Sequence, residues 1–506
     1  MAVRRFARLN CRIGVSLRPT HTFDMQFGRP MILEIPHDAR MLLSLLESDG
    51  HDAFLVGGWV RDALMGVEGA DIDIATSSPA EHTMSLLRGH GISVVPTGLA
   101  HGTVTAVIDS IPYEITTFRV DGEYSDSRHP DSVRFCASID DDLSRRDFTI
   151  NAIAYSPRSG LVDPFDGRAD IEKRIVRCVG DPDRRFDEDA LRIMRALRFS
   201  AQLGFAIDQA TAASLVEHRE LLDKIARERI GKEFAKLVGF AAAPDVLEAF
   251  PQVFAQILPD VDCAGSRWWA CVEALQMLES SDLSTRLATL MSCVGDGRGG
   301  DACAEVLRSL RFSNKVVSQT SDILMALDAI PEDSDEAQIL LCMGRAGSDA
   351  FMSALDVKEA FVLAEIRNSG TNESGDSDST AIGDTDQNGI VDFGSSNDCN
   401  FANAGSSACG DDSPANDCNA YVLALEERLE HIRRMRSVAQ DCLAENKPYR
   451  VRDLAISGND LVEAGIEPGP EIGRILDGLL HHVVQGSCEN ARDQLLELAA
   501  KLTTRR

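Results

Sequence analysis

Strand-type patterning occupies only the stretch from about residue 36 to 179, and helix-type periodicity takes over after it. This division is the strongest constraint on the fold, because a sheet confined to one segment has to bury its faces under helices. Within that segment "ARMLLSLLESDG" is an amphipathic helix ending at Gly50, "AFLVGG" is a short buried strand and "DIDIAT" is a strand by alternation. A helix is expected from Val60 to Met65, and another over "PAEHTMSLLRGHG", which starts at a proline and stops at glycines. "HGTVTAVID" and "IPYEITTFRV" are two strands joined by a turn. The expected class is α+β: a small mixed sheet carrying helices, followed by all-α segments.

The 506 residues exceed one ordinary core. "EDALRIMRALRFSAQLGF" and "ERIGKEFAKLVGF" carry apolar residues at spacings of three and four, and helical patterns continue to about Ile366. The expected organisation is a leader over 1–30, a mixed head over 31–180, a helical neck over 181–240, a helical body over 241–366, a disordered acidic insertion over 367–420 and a helical tail over 421–506. The insertion is rich in Gly, Ser, Asn and Asp, and from Asn368 to Ala420 it holds ten acidic residues against no Lys or Arg. Inside it "DTDQNGIVD" mimics a calcium loop, but Ser395 stands where a bidentate Glu belongs. The tail carries an amphipathic helix with a basic face, "YVLALEERLEHIRRMRSVAQD". His481 and His482 have no partner carboxylate at metal-site spacing, which leaves them a surface role. Trp268 and Trp269 are expected to pack rather than catalyse.

The formal net charge of −29 means that any nucleic acid must be met by a local positive face. The 13 cysteines are scattered without a C-x-x-C pair, which fits a reducing, cytoplasmic setting. No apolar run reaches the ~20 residues of a membrane span. The first thirty residues hold six arginines and a single acid, Asp24. They read as a disordered leader or a start placed too early, with an organelle transit peptide as the minor alternative.

The chemistry concentrates in "FLVGGWVRDALMGVEGADIDIAT". Residues i and i+2 of a strand share a side, so Asp71 and Asp73 point together, with Ile72 and Ile74 directed to the core. Such a pair is either a solvated turn or a cation site. Hard oxygen donors beside phosphate oxygens suit Mg²⁺. Gly57 and Gly58 let backbone N–H groups approach a triphosphate, and Arg61 adds a charge-assisted contact. Glu114, out of phase with Tyr113 and Ile115, is either an edge-strand glutamate or the third carboxylate of a two-metal phosphoryl-transfer site. In "RRDFTINAIAY", Arg146 is cationic. Asp147 and Asn151, four apart, share a face if a helix opens there; alternatively Asp147 is only an N-cap.

Asp189 and Arg192, three apart in "FDEDALRIMRALRF", form either a surface ion pair or a fork that reads a base. Cytosine and adenine both present an exocyclic amino donor beside a ring-nitrogen acceptor, which a carboxylate and a guanidinium complement. Uracil and guanine leave the carboxylate facing a carbonyl, a mismatch that gives strong rejection. Arg195 and Arg198 continue a cationic ridge.

Together "LVGGWVRDALMG…DIDIAT", "RRDFTINAIAY", "DPFDG…ADI" and "FDEDALRIMRALRFSAQLGF" resemble the class II nucleotidyltransferases, the tRNA CCA-adding enzymes and bacterial poly(A) polymerases. The C-terminal "ISGNDLVEAGIEPGPEIGRIL" looks like the tail of CCA enzymes that lack an HD domain. The resemblance implies a polymerase-β-like head, Mg²⁺ on Asp71 and Asp73, and Glu114 as a further catalytic carboxylate. It implies a triphosphate held by Gly58, Arg61 and Arg146, with Gly57 beside them. It also implies selection of CTP or ATP by Asp189 and Arg192, supported by Arg195 and Arg198, with "ERIGKEFAKLV" as the buttressing helix. Residues 118–135 resemble the flexible loop that relatives adding only cytidines lack, so that activity is disfavoured. An A-adding relative would keep the loop. The helix reads "DEDALRIM" rather than the "R-E-D-P-V-R-M" of poly(A) polymerases, and the chain ends shortly after the tail helix, which favours tRNA as partner. A non-catalytic RNA-binding protein on this scaffold would be expected to lose Asp71 or Asp73. A dehydrogenase would need a dinucleotide fingerprint.

Overall fold

The computed structural model describes residues 33–69, 71–121, 133–136, 138–294, 299–330, 334–370 and 414–503. The chain divides into two compact units between Asp328 and Ala329.

In the first unit α1 (His37–Ser48) buries Ala39, Leu42, Leu43 and Leu46, one face of its 3.6-residue period. The chain reverses through Gly50 at φ +90° into β1 (Ala53–Val56), which is buried along its whole length. Gly57, at φ +72°, turns the end of β1 straight into α2 (Gly58–Leu64), so the helix starts two residues before the expected Val60. There follow β2 (Asp73–Thr76), α3 (Ala80–Gly89), β3 (Ser93–Gly98), β4 (Thr103–Ile108) and β5 (Ile111–Thr117). Asp109 and Ser110, both at positive φ, form the two-residue turn between β4 and β5. β6 (Arg119–Asp121) and β7 (Val133–Phe135) pair as a small ribbon; residues 122–132 of the expected flexible loop lie outside the described residues. After α4 (Ile139–Ser144), β8 (Ala154–Ser156) and β9 (Gly160–Val162) complete a seven-stranded sheet in the order β3-β4-β5-β2-β1-β8-β9.

The alternation expected over "DIDIAT" holds only at its rim. Asp71 precedes the strand, Ile72 is half-buried, and of β2 only Asp73 is exposed. Ala75 is buried although it shares the phase of Asp73, because β2 is a central strand covered on both faces. It packs with Phe54, Val56, Phe118, Leu143 and Ala152.

Past the sheet come α5 (Gly167–Lys173), β10 (Ile175–Val176), α6 (Pro182–Glu188), α7 (Leu191–Leu203), β11 (Ala206–Ile207), α8 (Gln209–Glu217) and α9 (Arg227–Val238). The single helix expected over "EDALRIMRALRFSAQLGF" is interrupted at its start. Asp189 is extended, at φ −144° and ψ +100°, and its Oδ1 accepts from the Leu191 amide at 3.0 Å. This local side-chain bond competes with helix continuation and starts α7 afresh. Gly204, in the left-handed region, closes α7. The unit continues with α10 (Ala243–Ala249), α11 (Pro251–Ile257), α12 (Ser266–Met277), α13 (Leu283–Met291), α14 (Gly299–Ser309) and α15 (Asn314–Ala329). Trp268 is fully buried beside Phe254, and the Trp269 indole donates to the Ala264 carbonyl.

The second unit holds α16 (Glu336–Ala346), α17 (Ser348–Gly370), α18 (Pro414–Ala444), α19 (Gly458–Glu463), α20 (Pro470–Val484) and α21 (Arg492–Thr503). Its core gathers Leu461, Leu479 and Leu495. The basic face expected on α18 is turned onto acids of α17: Arg436 pairs with Asp356 and Glu359, Arg433 with Glu359, and Arg428 with Glu365. His482 Nδ1 lies 2.8 Å from Ser487 Oγ, joining the last turn of α20 to the loop after it. The calcium-like stretch falls outside the described residues. No described helix is long and apolar enough to cross a membrane.

Candidate active site

Residues of β1, β2 and β5, the start of α2, the 145–151 segment, Asp189 and helix α7 enclose a cleft of about 880 Å³. Its lining brings together Gly57, Gly58, Arg61, Asp71, Asp73, Glu114, Arg146, Asp147, Asn151, Asp189, Arg192, Arg195 and Arg198, all the candidate residues named from sequence.

The acidic corner is set by strand register. β2 and β5 run parallel with Asp73 opposite Glu114. Burial in the cleft, with Glu114 and then Asp71 nearby, pushes the Asp73 carboxyl up to about 6, against the opposing pull of Arg146. The three carboxylates do not bring one oxygen each within 4.8 Å of one another, in keeping with the mutual repulsion of like charges. Oxygen-only donors that repel each other fit a hard divalent cation.

Opposite that corner lies a set of guanidinium groups, each fixed by an acid. Arg61 is buried; its Nε and Nη2 donate to Asp62 at 2.9 and 2.7 Å and its Nη1 to Asn151 at 2.8 Å. Asp142, buried in α4, accepts from Arg145 at 2.7 Å and from Arg146 at 3.3 Å. Burial raises its carboxyl, but the two arginines more than offset that and hold it below its ordinary value. A Cβ at Gly57 would sit 3.0 Å from Arg146 Nη1, so the glycine permits both the backbone turn and the seat of this arginine.

The expected helix after "RRD" is a single 3-10 turn, Thr149–Asn151. Asp147 and Asn151 meet across it, Asn151 Nδ2 donating to Asp147 at 3.2 Å. Asp147 does not act as the N-cap, which is Phe148; it binds Arg195 of α7 at 2.8 and 2.5 Å. Burial pushes this carboxyl up, but Arg195 outweighs it and brings it down to about 2. The turn itself is pinned by Thr149, whose hydroxyl donates to buried Asp170 at 2.6 Å. Gly167 passes so close that a Cβ would fall 2.1 Å from the Thr149 carbonyl oxygen.

Asp189 and Arg192 are brought to the same cleft, but not as an i, i+3 pair on one helix face. Asp189 lies in the break between α6 and α7, and its Oδ2 is 3.3 Å from Arg229 Nη2 of α9. Arg192 donates to Glu188 at 2.8 Å and to the carbonyls of Arg185 and Arg145. Arg198 binds Glu233 of α9 at 2.6 Å and stacks 3.9 Å from the Phe199 ring centroid. The expected cationic ridge of Arg195 and Arg198 is therefore countered by Asp147 and Glu233. α9 does buttress α7, through Arg229 and Glu233.

Sequence reasoning missed Asp62, Asp142, Glu188 and Arg229, which aim the residues it named. Asp142 and Glu188 were detectable: each stands three or four residues from its arginine in a helical stretch. Arg229 was not, because its partner is forty residues away in the chain.

Comparison with known proteins gives a consistent picture. Residues 53–177 match the family described as "Poly A polymerase head domain", residues 204–262 "Probable RNA and SrmB- binding site of polymerase A", and residues 444–499 "tRNA nucleotidyltransferase domain 2 putative". The chain is 33% identical to a CCA-adding enzyme of Limosilactobacillus fermentum, over 92% of this chain and 96% of that one. It is 32% identical to a CCA-adding enzyme of Levilactobacillus brevis, over 90% and 96%. A crystal structure of the Bacillus stearothermophilus CCA-adding enzyme in complex with CTP superposes with a TM-score of 0.65 at 29% identity, covering 92% of this chain and 96% of that one.

Proposed function

The chain belongs to the family of CCA-adding enzymes, and on that premise we propose that it completes the 3′ end of tRNA with C, C and A, taking CTP and ATP without a nucleic-acid template. The observation that carries the reading is one cleft holding both the Asp73–Glu114 register pair and the Asp189–Arg192 constellation. The first can transfer a nucleotide; the second can choose it.

The relatives' activity is a nucleotidyl transfer, a class that generally uses divalent metal ions; Mg²⁺ is the assignment favoured by oxygen-only donors. Asp71 and Asp73 would hold it, with Glu114 beside them. When bound, such an ion lowers the pKa of a coordinated hydroxyl and offsets phosphate charge. Gly57 and Gly58 open the start of α2 to the triphosphate, and Arg61 and Arg146 direct charge at it. The tRNA 3′-oxygen attacks the α-phosphorus, the bond to the β-phosphate breaks and pyrophosphate leaves, while the hydroxyl proton is lost to solvent.

Selection falls to Asp189, which accepts the exocyclic amino N–H of cytosine or adenine, and Arg192, which donates to the ring nitrogen. Asp147, Asn151 and Arg195 form the linked wall between phosphates and base, and Arg198 with Glu233 supports α7. We assign residues 31–180 to the head, 181–240 to the neck, 241–366 to the body, 367–420 to an insertion and 421–506 to a tail that binds tRNA. A cytoplasmic location is supported by nine cysteines that stand as free thiols.

Purified protein offered tRNAs ending before CCA, after the first C or after the second, with CTP and ATP supplied separately, tests the reading. Ordered addition of C, C and A is the expected result. Addition of A alone, or a long A tail, would replace it.

A further inference from the structure

We propose that Asp49, His51 and His82 form a second metal site, of nitrogen and oxygen donors, that takes Zn²⁺ or a similar transition-metal ion. Among the described residues this is the one group of three His, Cys, Asp or Glu side chains whose donor atoms all lie within 4.8 Å of one another. His82 Nε2 is 2.5 Å from Asp49 Oδ2, and His51 Nε2 is 3.8 Å from the same oxygen.

The local fold builds this convergence. Asp49 closes α1, Gly50 at φ +90° turns the chain, and His51 leads into β1. His82 comes from α3, so the site joins the α1–β1 turn to a second helix. The Ser77 hydroxyl oxygen accepts from the Asp52 amide at 2.9 Å and stands 3.4 Å from His51 Nδ1. A ring held on Nδ1 by a neighbouring oxygen while Nε2 faces the other donors is the usual arrangement of a metal-binding histidine.

The chemistry separates this site from the catalytic carboxylates. Two imidazoles and one carboxylate suit zinc, nickel or copper, whereas oxygen-only donors suit Mg²⁺. Three protein donors leave a position for water. The donors are reachable, the side chains of His82, Asp49 and His51 being 51%, 33% and 26% exposed. The location is also distinct. β1 and β2 are antiparallel, with Val56 opposite Asp73 at the cleft end and Ala53 opposite Thr76 at the far end. His51 and Ser77 flank the far end, so at about 3.3 Å per residue the site lies roughly 20 Å along the strand from Gly57.

The test uses untagged full-length protein, stripped with a chelator and then titrated with Zn²⁺ in excess Mg²⁺, with bound zinc counted by elemental analysis. Wild type and Asp71→Ala are both expected to retain one zinc per chain. His51→Ala and His82→Ala should bind it at least about tenfold more weakly, since changes to groups behind a ligand alone cost that much. Circular dichroism verifies that the variants fold, and X-ray absorption on zinc-loaded wild type should show two imidazoles without relying on any variant. Failure of wild type to retain zinc would overturn the proposal. So would equal retention by both histidine variants, loss in Asp71→Ala, or a zinc shell without imidazole.

Discussion

Asp73 and Glu114 occupy paired positions on neighbouring parallel strands, so register alone places two carboxylates side by side at the rim of the cleft. The arrangement is useful to a bound cation and costly without one. Because the folded-state pKa of Asp73 is raised from 3.8 to about 6, the folded protein holds a proton that the unfolded chain has already lost between those values. Stability therefore falls as pH rises through that window, and the full penalty persists above it. Asp73→Asn is expected to raise the melting temperature at pH 7–8 in a chelator, to leave it unchanged near pH 3, and to abolish transfer. An unchanged melting temperature at neutral pH would count against the repulsion.

Asp71→Ala should lose nucleotide transfer while tRNA binding stays within a few-fold of wild type. Single-turnover primer extension, read beside a filter-binding isotherm, separates the two. Near-normal extension would remove Asp71 from the metal site.

Asp147 behaves in the opposite sense to Asp73. Its folded-state pKa is depressed to about 2, so its contribution to stability is fully present above about pH 4 and is lost as pH falls through 2. Asp147→Asn leaves the Arg195 charge without its partner; because the Arg195 side chain is 34% exposed, solvent screening brings the cost below the about 3–5 kcal/mol of a fully buried pair. Urea unfolding at pH 7 should show that loss. A midpoint unchanged from wild type would mean that Arg195 finds another partner.

Asp189→Ala should relax base choice, with UTP and GTP incorporated at rates closer to those of CTP and ATP. The readout is the ratio of kcat/KM values among the four nucleotides. If rejection of UTP and GTP is undiminished, selection resides elsewhere in the cleft.

Gly57→Ala places a Cβ against Arg146 and forces φ +72° on a residue that disfavours it. The strain is about 1–3 kcal/mol, and displacement of Arg146 should appear as a raised KM for the nucleotide. Comparison of KM and kcat with those of Arg146→Ala checks whether the two changes act through one side chain.

The legible part of this protein was the part written in short spacings. Asp71 and Asp73, the double glycine, and Asp189 with Arg192 are close enough in sequence for pattern to place them together. Glu114 was recognisable as a strand residue out of phase with its apolar neighbours, but its pairing with Asp73 depends on sheet order, which a four-residue strand does not encode. The break at Asp189 was hidden because the apolar period runs on across it; one side-chain bond to the Leu191 amide decides the matter. The partners of the basic face of α18 were hidden for a similar reason. Periodicity showed that Arg428, Arg433 and Arg436 stand apart from the apolar stripe, but not that acids of α17 would meet them.

That last contact has a practical consequence. The arginines of α18 clasp α17 at Asp356, Glu359 and Glu365, so the two chain ends that bracket residues 371–413 are already held by the scaffold. Closing a segment spliced between them costs entropy that grows only slowly with its length. The junction is thus a natural graft point: a fluorescent protein or an affinity module placed there would extend from two helix ends that the α17–α18 ion pairs already hold together.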